Sequence, residues 1–169
     1  MKIIVAGTGF VGLTHAAVVS EYGHEVYAYD IDPAKIEAYR SGEREQIEHY
    51  VNEPGLVDVI NETLDRYLFF VDDLEPIIEG TDAIFLCLPT PPNPNGSSDM
   101  SYYLTALEHI AGLLAKREDK RRVVLVNKST VPVGTARQLE NLLKEHNVPN
   151  FGIASNPEMR AAERGRWID

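Results

Sequence analysis

The sequence has a single cysteine, Cys87, so no disulfide can form within the chain and a reducing compartment is the expected setting. It has no apolar run near the length that spans a bilayer. Positive charge is scarce: 16 Lys and Arg stand against 26 Asp and Glu, a net charge of −10. That balance argues against a nucleic-acid partner, which needs clustered basic side chains. A phosphorylated small molecule stays allowed, because a few backbone N–H groups can hold one locally. The opening "MKIIVAGTGF" runs straight into a strand-like segment without the layout of a signal peptide, and no membrane contact is expected. The reading is a cytoplasmic domain. His15, His24, His49, His109 and His146 are scattered, and no Cys/His/Asp grouping has metal-ligand spacing, so no metal is expected. What remains is 44% apolar and 25% charged over 169 residues, enough for one domain with a core, or one and a small appendage.

Apolar runs alternate with helical patterns from the start. "KIIVAG" (2–7) is a continuous apolar run, as a strand buried on both faces requires. "VGLTHAAVVSEYG" (11–23) has helical spacing and closes on Gly23, and "EVYAYD" (25–30) is a second strand. In "DPAKIEAYRSG", Asp32 is placed to cap a helix, Pro33 to begin it and Gly42 to end it. After the undivided stretch 43–53, "EPGLVDVINETLDR" reads as a helix. Residues 67–71, 82–88, 122–127 and 151–155 read as four more strands, with helical stretches at 74–79, 100–115 and 134–146. Sustained alternation predicts an α/β fold: a doubly wound, mostly parallel six-stranded Rossmann sheet of order 3-2-1-4-5-6 with helices on both faces. Ligands of such sheets lie beyond the carboxyl ends of the strands, and the candidate residues fall there. Residues 1–155 are expected to form this domain, and 156–169 to begin a connection to something further.

"GTGFVG" (7–12) is G-x-G-x-x-G after a strand and before a helix, followed at the end of the second strand by Asp30. That context makes it a dinucleotide motif. Gly7 allows a tight turn, Gly9 a close approach to pyrophosphate, and Gly12 close packing of helix on strand. Thr8, Phe10 and Val11 complete the loop and helix start that face the cofactor. Asp30 would accept the ribose hydroxyls and repel a 2′-phosphate, so NAD is expected over NADP. Lys35 is either a contact on the adenosine side or a solvated helix lysine.

Three further loops bear hydroxyls or a carboxylate at strand ends. In "LPTPPNPNGSSD" (88–99), Thr90 faces the cofactor phosphates or merely belongs to a proline-stiffened connector. In "NKSTVPVGT" (127–135), Ser129 and Thr130 point into the crevice or cap the next helix. In "SNPEMR", Glu158 acts as a base or a sugar contact, or is a helix N-terminal glutamate. Cys87, inside the apolar "AIFLCL", is expected to be a buried, inert thiol.

Together "GTGFVGL", "NEPGL" (52–56), "FLCLPTPP" with "KSTVPVGT", and "NPE" resemble the UDP-glucose/GDP-mannose dehydrogenase family over essentially the whole chain. The resemblance implies a cytoplasmic oxidoreductase that oxidises C6 of a nucleotide sugar to a carboxylate with two NAD+. The aldehyde-level species is captured by a cysteine as a thiohemiacetal, and a thioester is then hydrolysed. It implies that Gly7–Gly12 and Asp30 hold NAD with Lys35 assisting, and that Thr90 and Ser129 touch the cofactor. Thr130 would help position a catalytic water, and Glu158 would assist acid–base steps. The family's nucleophilic cysteine, its lysine and its asparagine lie beyond the "NPE" turn, in a central helix and a second domain. The expectation is therefore a cofactor domain that turns over nothing by itself. The continuation "MRAAERGRWID" departs from the family pattern, and the stretch "REQIEHYVNEPGL" is longer than that pattern by a few residues. A nucleotide sugar would then bind weakly or not at all here, and surface around Trp167 would self-associate or dock with the missing half, or Trp167 would fold back onto this domain. The alternative is a stand-alone NAD(H)-binding module that regulates or docks a partner.

Overall fold

In the computed structural model, residues 1–157 are described. Six strands, β1 (Lys2–Ala6), β2 (Glu25–Tyr29), β3 (Leu68–Val71), β4 (Ala83–Leu86), β5 (Val123–Asn127) and β6 (Phe151–Ser155), form one sheet. Its order is β3-β2-β1-β4-β5-β6 and every pairing is parallel. This is the expected α/β sheet. Register runs straight across the middle: Val5 lies opposite Ala28 on one side and Phe85 on the other.

Among the described residues six α-helices cover both faces: α1 (Phe10–Glu21), α2 (Pro33–Arg40), α3 (Arg44–Tyr50), α4 (Leu56–Thr63), α5 (Ser101–Lys116) and α6 (Thr135–Glu145). Side chains alternate across a strand, so β1 sends Ile3 and Val5 to one core and Ile4 and Ala6 to the other. The first core lies under α1, α2 and α4, with Leu13, Ile36, Tyr39 and Ile60. The second lies under α5 and α6, with Leu107, Ile110, Leu139 and Leu143. Burial on both faces is why these strands read as unbroken apolar runs. At the start of α2, Asp32 caps as its sequence foretold: its Oδ1 accepts the Ala34 N–H at 3.0 Å, with Pro33 in the first turn.

Two segments differ from the sequence reading. The helix expected at 74–79 is a single 3-10 turn, Glu75–Ile77. Pro76 removes a donor from its middle, yet Leu74, Ile77 and Ile78 still fill the core. The undivided stretch at 43–53 contains α3, which buries Ile47 completely and is tied by Arg44 to Glu48 and to Asp58 of α4. Its helical face holds too few apolar residues to show in a periodicity. Among the described residues no helix is long and apolar enough to cross a membrane.

Candidate functional site: the crevice at the strand ends

The chain reverses sharply from β1 into α1. Gly7 has φ +96°, and a Cβ there would strike the Cys87 carbonyl. Its N–H donates to the Tyr29 carbonyl at 2.8 Å, binding the turn to β2. A Cβ on Gly12 would fall on the Gly7 carbonyl oxygen, with the Cys87 Cβ 3.0 Å away. Gly9 is different: it is exposed, caps α1, and a Cβ there would meet nothing within 4 Å. Two glycines serve packing, and the third leaves open space in front of a helix N-terminus. No acidic residue sits in the first turn of α1 to offset its dipole.

Beside this turn lies a crevice of about 980 Å³, lined among others by Gly7, Gly9, Phe10, Val11, Asp30 and Lys35. The structure thus brings most of the first motif's residues to one surface. Gly12 and Thr8 stand behind it, both buried. The far wall comes from α5 and the loop after β4, with Leu88, Pro89, Tyr102 and His109. Tyr102 and, on the near side, Ile31 are strongly exposed apolar side chains facing the same space. Reading the sequence missed both. The position after a strand-ending acid was the available signal for Ile31, and nothing local marked Tyr102.

Asp30 is almost wholly covered and heavily bonded. Its Oδ2 accepts the Thr8 N–H at 3.0 Å, the Thr8 hydroxyl at 2.8 Å and the Lys35 ammonium at 3.3 Å. Among the described residues its Oδ1 accepts only the Asp32 N–H, at 3.1 Å. Burial alone would raise its pKa, but the Thr8 N–H and hydroxyl, the Asp32 N–H and Lys35 together hold it below the usual carboxylate range. It is a fixed anion at neutral pH, with Oδ1 left to accept a further donor. Lys35 is an ion-pair partner of Asp30 on the crevice wall, rather than a solvated helix lysine.

Cys87 corrects an expectation. It is half-buried and lines the crevice, because β4 ends at Leu86 and the next residue has already left the sheet. The remaining candidates form a second group further along the strand ends. The Thr90 hydroxyl donates to the Thr130 carbonyl at 2.9 Å. The Ser129 side chain is buried and its hydroxyl is directed at the carbonyls of Leu88 (2.8 Å) and Leu86 (3.1 Å) rather than into the crevice. Neither Ser129 nor Thr130 caps α6, whose N-cap is Gly134. Thr90, Ser129 and Thr130 are not among the residues lining the crevice. Glu158, Trp167 and most of the connection at 156–169 lie outside the described residues.

Residues 1–165 match the model of the UDP-glucose/GDP-mannose dehydrogenase family, NAD binding domain. The chain belongs to this family. The uncharacterised protein MJ1054 of Methanocaldococcus jannaschii is 39% identical over 158 residues, covering 94% of this chain and 16% of that protein. UDP-glucose 6-dehydrogenase TuaD of Bacillus subtilis is 36% identical over 160 residues, covering 93% of this chain and 32% of the enzyme. Among solved structures, a UDP-glucose dehydrogenase from Pyrobaculum islandicum superposes with a TM-score of 0.82 at 32% identity, covering 95% of this chain and 36% of that one. The chain thus spans about a third or less of the length of these relatives. The cofactor of the matched domain is NAD. The residues present fit it: open space before the α1 N-terminus suits a pyrophosphate, the oriented Asp30 carboxylate suits a ribose hydroxyl, and the apolar walls suit a flat base.

Proposed function

We propose that this chain is the cofactor domain of a nucleotide-sugar 6-dehydrogenase, with NAD held along the crevice. The observation that carries the reading is the joint placement of the α1 N-terminus, whose N-cap Gly9 brings no side chain, and the anchored Asp30 on one crevice of about 980 Å³. Gly9 and the first turn of α1 receive the pyrophosphate, Asp30 Oδ1 takes a ribose hydroxyl, and Ile31 and Tyr102 flank the adenine. Bound NAD supplies a hydride acceptor. In the whole protein the substrate is UDP-glucose or a related nucleotide sugar, taken to the uronate with two NAD+.

Residues 1–155 form the cofactor domain in this reading, and 156–169 begin the connection to the rest of the enzyme. Thr90 and Ser129 contribute through the backbone and loop shape they hold at the strand ends, which the bonds to Thr130, Leu86 and Leu88 support. Thr130 positions a water and Glu158 assists proton transfer. The 169-residue chain by itself turns over no sugar, since its one cysteine, Cys87, stands on the cofactor wall. Docking with the remainder of the enzyme covers Val133, a fully exposed apolar residue three positions from Thr130.

Calorimetric titration of this chain with NAD and NADP tests the reading. NAD should bind and NADP should bind at least about tenfold more weakly, because a 2′-phosphate meets the Asp30 charge. Asp30→Ala should lose most of the NAD affinity while narrowing the gap to NADP. No NADH should form with NAD and UDP-glucose. Equal affinity for the two dinucleotides, or none for either, sinks the assignment of Asp30 and the crevice; steady turnover sinks the claim that the chain is inactive alone.

A further inference from the structure

Thr8 uses all three of its hydrogen-bonding atoms. Its N–H and hydroxyl both go to Asp30 Oδ2, and its carbonyl accepts the hydroxyl of Tyr39 at 2.9 Å. Thr8 and Tyr39 are both 0% exposed, so neither side chain can reach a ligand in the crevice. The Tyr39 ring is itself held in place by Phe70 and Tyr50, with ring centroids 5.3 Å and 5.8 Å away. Burial pushes the Tyr39 hydroxyl well above the usual phenol range, so it remains a donor.

The geometry of the peptide unit gives this contact a consequence at the surface. In a trans peptide the carbonyl oxygen and the following N–H point in opposite directions, and no cis bond is present among the described residues. A donor that draws the Thr8 carbonyl inward therefore turns the Gly9 N–H outward. Gly9 is the exposed N-cap of α1 and lines the crevice. Meanwhile the other atoms of Thr8 fill Asp30 Oδ2, with Lys35 as the third donor. A carboxylate oxygen has only two lone pairs, so the ligand-facing capacity of Asp30 is confined to Oδ1.

We infer that Tyr39 is a positioning residue for the dinucleotide. Through the Thr8–Gly9 peptide it orients both the Gly9 donor that meets the pyrophosphate and the Asp30 carboxylate that meets the ribose. This rests on the crevice being the NAD site. It assigns to a buried tyrosine on α2 a part in recognition that no contact with the cofactor would show.

The test is titration of the 169-residue chain and its variants with NAD and with ADP, which carries the same ribose and pyrophosphate. Tyr39→Phe keeps the ring and its packing and removes one donor. It should weaken both ligands about five- to tenfold and shift the Gly9 amide resonance in the unliganded chain. Thr8→Val should weaken NAD by a similar factor, and Thr8→Ser, which restores the hydroxyl, should recover it. Ile36→Val, a buried change on the same helix, controls for lost stability and should leave NAD affinity within about twofold while lowering the melting temperature. If wild type binds NAD and Tyr39→Phe binds it equally well, the inference is overturned and the crevice assignment stands. If Ile36→Val weakens NAD as much as Tyr39→Phe does, the effect is general loosening and the inference also falls. If wild type binds neither ligand, both fall together.

Discussion

Replacing Gly12 by alanine should cost about 3 kcal/mol or more of stability and weaken NAD by more than about a hundredfold. The added Cβ would sit on the Gly7 carbonyl oxygen and press on the Cys87 Cβ at 3.0 Å. Neither the Gly7 backbone nor Cys87 has a soft way to yield. Gly7 is fixed by its bond to Tyr29, and Cys87 by its N–H to the Ala6 carbonyl at 2.8 Å. Relief must come from lifting α1 off the sheet, which moves the helix N-terminus and opens Leu13, Ala16 and Ala17, all fully buried. Gly9→Ala should part the two effects. Its Cβ meets nothing in the unliganded protein, so the melting temperature should change by only a few degrees while NAD affinity falls sharply. Thermal unfolding and NAD titration of both variants check this. A Gly12→Ala chain that melts and binds like wild type would refute the close packing of α1 on the turn.

Arg117→Ala should lower stability by about 3 kcal/mol, or roughly 6–12 °C in melting temperature for a chain of this size. Arg117 is 3% exposed at the C-terminal end of α5. Its Nε and Nη2 donate to Asp119, and its Nη1 donates to the Thr81 carbonyl at 3.4 Å. Asp119 in turn accepts the N–H groups of Gly80 at 2.8 Å and Arg121 at 3.0 Å. One ion pair thereby joins the end of α5 to the segments leading into β4 and β5, at the amino-terminal ends of the strands, opposite the crevice. Removing the guanidinium leaves a partly covered carboxylate without its main partner and a void beside Leu114 and Val148.

The same pair sets a pH dependence. The Arg117 hydrogen bonds, outweighing burial and helped by the Gly80 and Arg121 N–H groups, hold the Asp119 carboxyl well below the usual range. A carboxyl depressed in the folded state contributes stability above its unfolded pKa of about 3.9, and that contribution is lost as pH falls below it. The gap between wild type and Arg117→Ala should therefore be full at pH 7 and narrow progressively below about pH 4. Urea unfolding at several pH values measures it. A gap that stays constant down to pH 2.5 would show that the loss comes from packing and the Thr81 bond instead.

How far the site was legible followed the range of the interactions involved. The alternation of apolar runs and helical patterns carried the sheet order, because strands buried on both faces and right-handed crossovers leave few topologies. Residues 7–12 and Asp30 were legible for a related reason. A tight turn, a close helix contact and an acid at the end of the next strand are each local demands, met by residue types that little else can replace. The capping of α2 by Asp32 belongs to the same class. Cys87 was misplaced because an apolar run does not mark where its strand stops; the sheet ends one residue earlier and puts the thiol on the crevice wall. The 74–79 segment misled because Leu74, Ile77 and Ile78 have helical spacing although Pro76 allows only one turn.

By itself, then, the sequence determined the fold class, the tight glycine turn between β1 and α1 and the acid at the end of β2. Each is encoded within a few residues or in a period that backbone geometry dictates. Only the tertiary structure decided that Ile31 and Tyr102 face one space and that Ser129 turns its hydroxyl to the carbonyls of Leu86 and Leu88. It also decided that Tyr39, thirty-one positions from Thr8, grips that residue's carbonyl. Those relations join segments far apart in the chain, and no spacing records them, because they depend on how two layers of helices settle against a twisted sheet.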